Sequence, residues 1–447
     1  MAKRILLIVL LLAAGGLAWY WTHYRLPDDV IARVDGVDIP VAAVDALVVV
    51  AQRQKPDVDR RAMLDGVIEN RLFADYAEHH HDDHHDGGSG TVDYSPQTLY
   101  ENELFKVLRV AFSQQINAAA EAAKSSGPMD FLEGELNLEP EVLKPMLALD
   151  SMLYHQMNEE QETAARQFVL GRYRFPGGDA HDLTLWDLYS RQNIQLKVQM
   201  HELNLPFMKQ AVKQFLATQF VLDWFRRNSD FSSDEVAALE MLVSDRMAKE
   251  ELLHDMGVMH DIHDDNPRLR EIMAEVTADE VRQYYDTHKE EFTRVEKVLA
   301  RHIRLPSQAQ ADEVAGRLRA GTLTFEEAIE TYSLAPDKDA ETPGLLGWID
   351  RDDRHTNWVR GLAFVQPKGT PSPAFRSPQN DGEVYWEIIL LDEKVMGYQP
   401  PDSEGVRYEA SKAIAREKLQ QQYVVLRDSL RDDACIRINE SLLEPAS

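Results

Sequence analysis

One cysteine, Cys435, stands in 447 residues, so the chain can form neither an intrachain disulfide nor a cysteine-based metal cluster. Positive charge is scarce: 48 Lys and Arg face 76 Asp and Glu, for a formal charge of -28. No local basic patch reverses that balance, so a broad role on nucleic acid or on anionic lipid is excluded. There is no serine or cysteine nucleophile motif and no phosphate-cradling glycine loop, which argues against a hydrolase or a nucleotide enzyme. Only one long uninterrupted apolar run occurs, which limits the chain to a single membrane crossing. At 44% hydrophobic residues the chain still has ample material for roughly two to four domains with sizeable cores.

That apolar run begins at Ile5, after Lys3 and Arg4, and ends in Trp19-Tyr20-Trp21. Roughly 17 residues is the short end of what spans a bilayer; the two cations mark a cytoplasmic N-terminus and the aromatics suit the far interface. Two readings stay open. Residues 1–25 are an uncleaved membrane anchor, or, because Ala13-Ala14-Gly15 suits a peptidase, a cleaved signal that leaves a soluble exported protein. Both export the body; a buried helix of a soluble domain is the remaining alternative.

Val30 to Val34 alternate and are β-prone, Asp35-Gly36 signals a turn, Val37 to Ile39 is a second short strand, and Pro40 can open a helix. An amphipathic helix follows from about Arg60 to Glu78. The tract after it holds His79, His80, His81, His84 and His85 among three aspartates, before Gly87-Gly88-Ser89-Gly90. Imidazoles at this density are a candidate transition-metal segment, with a solvated loop as the alternative. A second cluster, around His260 and His263, lacks metal-site spacing and reads as a helix-to-loop boundary. From about Thr98 to Met273 the periodicity predicts packed helices, broken near Gly127-Pro128, Pro176-Gly177-Gly178 and Asn266-Pro267. Thr277 and Glu280 then form a capping box that opens a further helix.

The pattern changes at about residue 295. Val295 to Leu305 predicts a strand, Gln308 to Ala320 and Thr324 to Tyr332 two helices, Asp337 to Gly347 a polar loop, and Glu383 to Asp392 a strongly β-prone last strand. Glu280 to Phe292, Ala300-Arg301-His302-Ile303, Phe325-Glu326-Glu327-Ala328 after Gly321, Tyr332-Ser333 and Gly344-Leu345-Leu346-Gly347-Trp348 together resemble the parvulin family of peptidyl-prolyl cis-trans isomerases. The segment Val30 to Pro40 and the helix after it resemble the N-terminal chaperone region of exported members, the SurA-like and PpiD-like periplasmic folding factors.

The resemblance implies a site for the X-Pro bond, whose rotation barrier is roughly 18–20 kcal/mol, built from two histidines flanking a cysteine or aspartate. His302 keeps the first histidine. Ala335 falls on the central polar position, and Glu387 on the second histidine, unless a slip of one residue puts Trp386 there. Alanine offers no hydrogen bond, and glutamate cannot reproduce a neutral imidazole. Trp348, Phe364 and Trp386 are the expected lining of a proline pocket or peptide groove.

The expectation is an α+β protein: signal anchor or signal peptide 1–25, mainly helical SurA-like chaperone region 26–275, linking helix 276–294, parvulin-like α/β domain 295–393 and C-terminal helical segment 394–447. The C-terminal segment either returns to the N-terminal helices or stands as a surface helix. The resemblance implies unfolded or extended polypeptide clients, no cofactor, and weak or absent isomerase catalysis. The alternatives are a non-catalytic adaptor for one dedicated envelope protein, or a metal-responsive protein using His79 to His85.

Overall fold

The computed structural model describes residues 26–80, 94–149, 156–259, 266–378 and 382–444. The chain divides into two compact units, one formed by residues 1–264 with 421–447 and the other by residues 265–420. The segment read as an anchor or signal lies outside the described residues, as do His81, His84, His85 and the His260 to His263 cluster. Among the described residues no helix is long and apolar enough to cross a membrane.

In the first unit, strands β1 (Val30–Val34) and β2 (Val37–Pro40) form the expected hairpin about Asp35-Gly36. Ile31, Val34 and Ile39 turn inward onto the helices Val41–Gln52, Arg60–His79, Pro96–Ala111 and Ser233–Asp255, which share one apolar core. The helix Leu205–Asn228 is about 36 Å long at 1.5 Å per residue and serves two cores. Its later residues, Phe220 to Phe225, join that first core, while Met208, Val212 and Leu216 join a second. A one-sided stripe would bury only one of these, which is why burial on this helix is broader than its amphipathic pattern suggests.

The second core adds a small sheet to the mainly helical region of residues 98 to 273. It contains a hairpin of β3 (Val169–Arg174) and β4 (Ala180–Thr184), closed by the loop that holds Pro176-Gly177-Gly178. Leu170 and Leu183 are fully buried there. Two short strands joined by a Pro-Gly-Gly loop give too few alternating residues to stand out between long helices, so the loop reads as a mere break.

In the second unit, the capping box at Thr277 and Glu280 forms as read. The Glu280 N–H donates to Thr277 Oγ1 at 3.3 Å, and the Thr277 N–H donates to Glu280 Oε2 at 2.8 Å. The helix Ala278–Thr287 is more than a link, since Val281 and Tyr285 pack with Phe292, Val406, Ala410 and Ile414. β5 (Thr293–Leu305), β6 (Leu345–Asp350), β7 (Phe375–Arg376) and β8 (Trp386–Tyr398) then build an antiparallel sheet in the order β6-β5-β8-β7. β5 and β8 are 13 residues each and pair from Thr293 with Tyr398 to Leu305 with Trp386, so the sheet runs past the expected end at residue 393.

The chain returns to the first unit at its C-terminal end. The helix Glu404–Asp433 is followed by β9 (Ile436–Ile438), which pairs antiparallel with β1 and completes a three-stranded sheet in the order β2-β1-β9. Asp35 holds the junction, because its carboxylate accepts the Cys435 N–H at 2.8 Å. Arg60 bridges Asp45 at 2.6 Å and donates to the Leu442 carbonyl at 2.5 Å.

Candidate active site

Side chains alternate across a strand, and residues paired in an antiparallel ladder share a face. On one face of the sheet, Ile303, Leu305, Ile388 and Leu390 pack under the helices Gln308–Arg319 and Phe325–Tyr332. On the other, Val298, Ala300, Ile349, Ile389 and Leu391 pack with Val359, Ala363 and Phe364. His302 pairs with Ile389 and Arg304 with Glu387, so these three polar residues continue the second face.

They meet there as a buried charged cluster. Glu387 is fully buried; its Oε2 lies 2.8 Å from His302 Nδ1 and its Oε1 accepts from Arg304 Nε at 2.8 Å. His302 Nε2 faces Asp337 Oδ2 at 3.1 Å. The Arg304 guanidinium carbon lies over Tyr385, 3.9 Å from the ring centroid, and the Tyr385 hydroxyl accepts from the Trp358 indole at 3.4 Å. With acceptor-only carboxylates at both nitrogens, the ring that satisfies both is the doubly protonated imidazolium. Burial opposes that charge, but the hydrogen bond and the charge of Glu387, followed by those of Asp337, outweigh it and raise the His302 pKa.

Local structure positions each part. The Ser333 hydroxyl accepts from the backbone N–H groups of Arg304 and Ala335, and the Leu334 N–H donates to the Arg304 carbonyl at 2.8 Å, which ties this segment to β5. A turn in which the Lys338 N–H donates to the Ala335 carbonyl then swings Asp337 onto His302. Ala335 itself is buried and brings no polar group. At the far end of the loop the His302 N–H donates to the Gly344 carbonyl at 2.8 Å. Gly344 has φ +67°, and a Cβ there would lie 2.7 Å from Ile329 Cδ1 and 2.8 Å from the His302 carbonyl oxygen. Gly344→Ala is therefore expected to cost about 2–4 kcal/mol through left-handed backbone strain plus overpacking. Denaturant unfolding checks this, and a loss below about 1 kcal/mol would mean that the loop shifts freely.

Of the residues expected at the site, His302 and Glu387 meet and Phe364 packs on the same face. The register places Glu387, not Trp386, on the His302 side. Trp386 packs on the opposite face with Ile303 and Ile388, and so is not part of the cluster. Trp348 pairs with Leu299 and points away from buried Ile349, 44% exposed beneath the Lys297 ammonium, so it too lies outside the cluster. Arg304, Asp337 and Tyr385 were not anticipated. Arg304 could have been found, because it lies two residues from His302 on one strand. Asp337 carried no signal, since only the turn after Ala335 brings it inward.

Of the histidine tract, His79 and His80 are among the described residues. His79 and His80 sit at the end of their helix, where each Nδ1 donates to a carbonyl one turn back, Asp75 at 2.7 Å and Tyr76 at 2.9 Å. Among the described residues no group of three or more His, Cys, Asp or Glu could hold a metal ion.

Residues 276–404 match the family model described as the PPIC-type PPIase domain. A comparison with curated proteins gives no match. Among solved structures, a SurA-like chaperone of Campylobacter jejuni is 19% identical over 56% of this chain and 90% of its own, with a TM-score of 0.20. The foldase protein PrsA of Streptococcus pneumoniae is 15% identical over 57% of this chain and 84% of its own, with a TM-score of 0.21. The peptidylprolyl isomerase PrsA of Bacillus anthracis is 20% identical over 49% of this chain and 96% of its own, with a TM-score of 0.20. Residues 276–404, which carry the four-stranded sheet and His302 on β5, are thus similar to the PPIC-type peptidyl-prolyl isomerase domains.

Proposed function

We propose that this protein is an exported folding factor, held at the inner membrane by residues 1–25 or released by their cleavage. It binds extended, proline-containing segments of other polypeptides, with isomerase catalysis weak or absent. The observation that carries the second half is the closed state of His302. Both ring nitrogens are engaged, by Glu387 at 2.8 Å and Asp337 at 3.1 Å, and Ala335 supplies no polar group. A parvulin-type site must favour a twisted amide over a planar one. An imidazolium locked between two carboxylates has no free donor or acceptor for that task. The same locked cluster favours, as a second reading, an adaptor that recognises one envelope protein through the parvulin-type unit.

A protease-free prolyl-peptide assay tests the reading. The native protein and His302→Ala are expected to give equal rates, close to the uncatalysed isomerisation of tens to hundreds of seconds. Suppression of client aggregation should be unchanged in the variant. A native rate well above background that falls in His302→Ala would overturn the non-catalytic assignment. Co-purification of one stoichiometric partner, in place of a spread of unfolded chains, would favour the adaptor.

A further inference from the structure

The isomerase-like unit leaves unused a pocket of about 380 Å³ inside the first unit, between the helices Arg60–His79 and Ser233–Asp255. Arg71, Ala74 and Glu78 recur at helical spacing along one wall, and Asp245, Ala248, Leu252 and Asp255 along the other. Alanine side chains where the helices face each other leave the space open.

The lining is short of positive charge. Glu78, Asp245, Glu251 and Asp255 contribute four carboxylates against the single guanidinium of Arg71. Arg71 is already committed, with Nη1 on Asp245 Oδ1 at 2.8 Å and Nη2 3.6 Å from Asp75. Asp245 is 4% exposed, and its second oxygen, Oδ2, is buried with no hydrogen-bond partner among the described residues. A buried carboxylate oxygen left this way bears its full desolvation penalty, which an incoming N–H donor would relieve. Burial pushes the Asp245 carboxyl up despite Arg71, and the charges of Asp75 and Glu78 push the same way. The carboxylates are not disposed as a metal site among the described residues, so the missing charge suits a larger cation that carries its own N–H groups. A chain of methylenes could lie along the alanines while its charged end reaches the acids.

We propose that this pocket binds an organic cation, the ammonium or guanidinium end of an aliphatic chain, with an N–H donated to Asp245 Oδ2 and the charge balanced by Glu78 and Glu251. The cation comes either from a lysine or arginine side chain of a bound polypeptide or from a free polyamine. The proposal is independent of the prolyl site.

Isothermal titration of the full chain with spermidine, and separately with a short unstructured peptide bearing one lysine and its alanine counterpart, tests it. Saturable binding of spermidine alone identifies a free polyamine. Binding of the lysine peptide but not its alanine counterpart identifies a polypeptide side chain. In either case affinity should fall about tenfold or more in Asp245→Asn and in the double variant Glu78→Gln/Glu251→Gln. The double variant alters exposed positions and keeps the test meaningful if Asp245→Asn fails to fold. The proposal is overturned if neither probe binds saturably, if all variants bind like the native chain, or if magnesium at matched ionic strength displaces the probe equally well.

Discussion

Glu387→Gln is expected to lower the unfolding free energy of the second unit by about 3–5 kcal/mol, the usual cost of removing one partner from a buried ion cluster. Glu387 is fully buried and its two oxygens answer two cations, His302 Nδ1 and Arg304 Nε, each at 2.8 Å. Glutamine keeps the volume and one acceptor oxygen, but leaves Arg304 without its carboxylate and His302 with only the counter-charge of Asp337. Urea unfolding followed by tryptophan fluorescence measures the loss, since Trp348, Trp358 and Trp386 all lie in this unit. The double variant Glu387→Gln/His302→Leu should lose less than the two single losses summed, because the histidine no longer needs the charge. A single-variant loss below about 1 kcal/mol, or strict additivity, would mean that the cluster is not electrostatically coupled.

Stability of the second unit should fall as pH rises above neutrality, and His302 is the reason. Its pKa is raised in the folded state, as Glu387 and then Asp337 overcome the opposing effect of burial. The folded protein therefore holds this proton more tightly than the unfolded chain. The stabilising contribution is complete below about pH 6.5, the unfolded value, and is lost as pH climbs through the raised folded value. Within that window the unfolding free energy should drop by up to about 1.4 kcal/mol per pH unit from this group. His302→Gln should flatten the slope there, and NMR titration of the ring gives the folded pKa directly. A native slope of zero or opposite sign across the window, unchanged in His302→Gln, would refute the assignment.

The two predictions bear on the proposed function, because they separate a cluster built to hold a loop from one built to act on an amide. Asp337 and Gly344 both contact His302 and bracket the polar loop between them. In this chain the histidine joins that loop to the sheet. A group fully engaged in structure is a poor candidate for transient contacts to a substrate, so the expected destabilisation and the proposed low isomerase rate share one cause.

Much of the local structure was legible because it rests on contacts between near neighbours. The Thr277 and Glu280 capping box, the Asp35-Gly36 turn and the long helix from Arg60 each need only residues within a few positions. The hairpin from Val169 to Thr184 was missed because its few alternating residues are outweighed by the helices on both sides. The site was half legible. His302 and Glu387 follow from strand alternation and the family pattern, but choosing Glu387 over Trp386 requires the β5–β8 register, which is set by which residues are buried on the two faces.

The sequence alone determined the acidic composition, the apolar N-terminal run, most of the helices, the main strands of the α/β unit, and an alanine without a polar group at position 335. Tertiary structure alone decided that β9 completes the N-terminal hairpin, some 400 residues away, since strand pairing depends on backbone groups that no side-chain pattern reports. It also decided that Asp337 closes the histidine, that Arg304 shares Glu387 with it, and that among the described residues Asp245 is left with an unpaired oxygen. Burial and charge pairing between distant segments are properties of the packed chain, and a run of residue types carries neither.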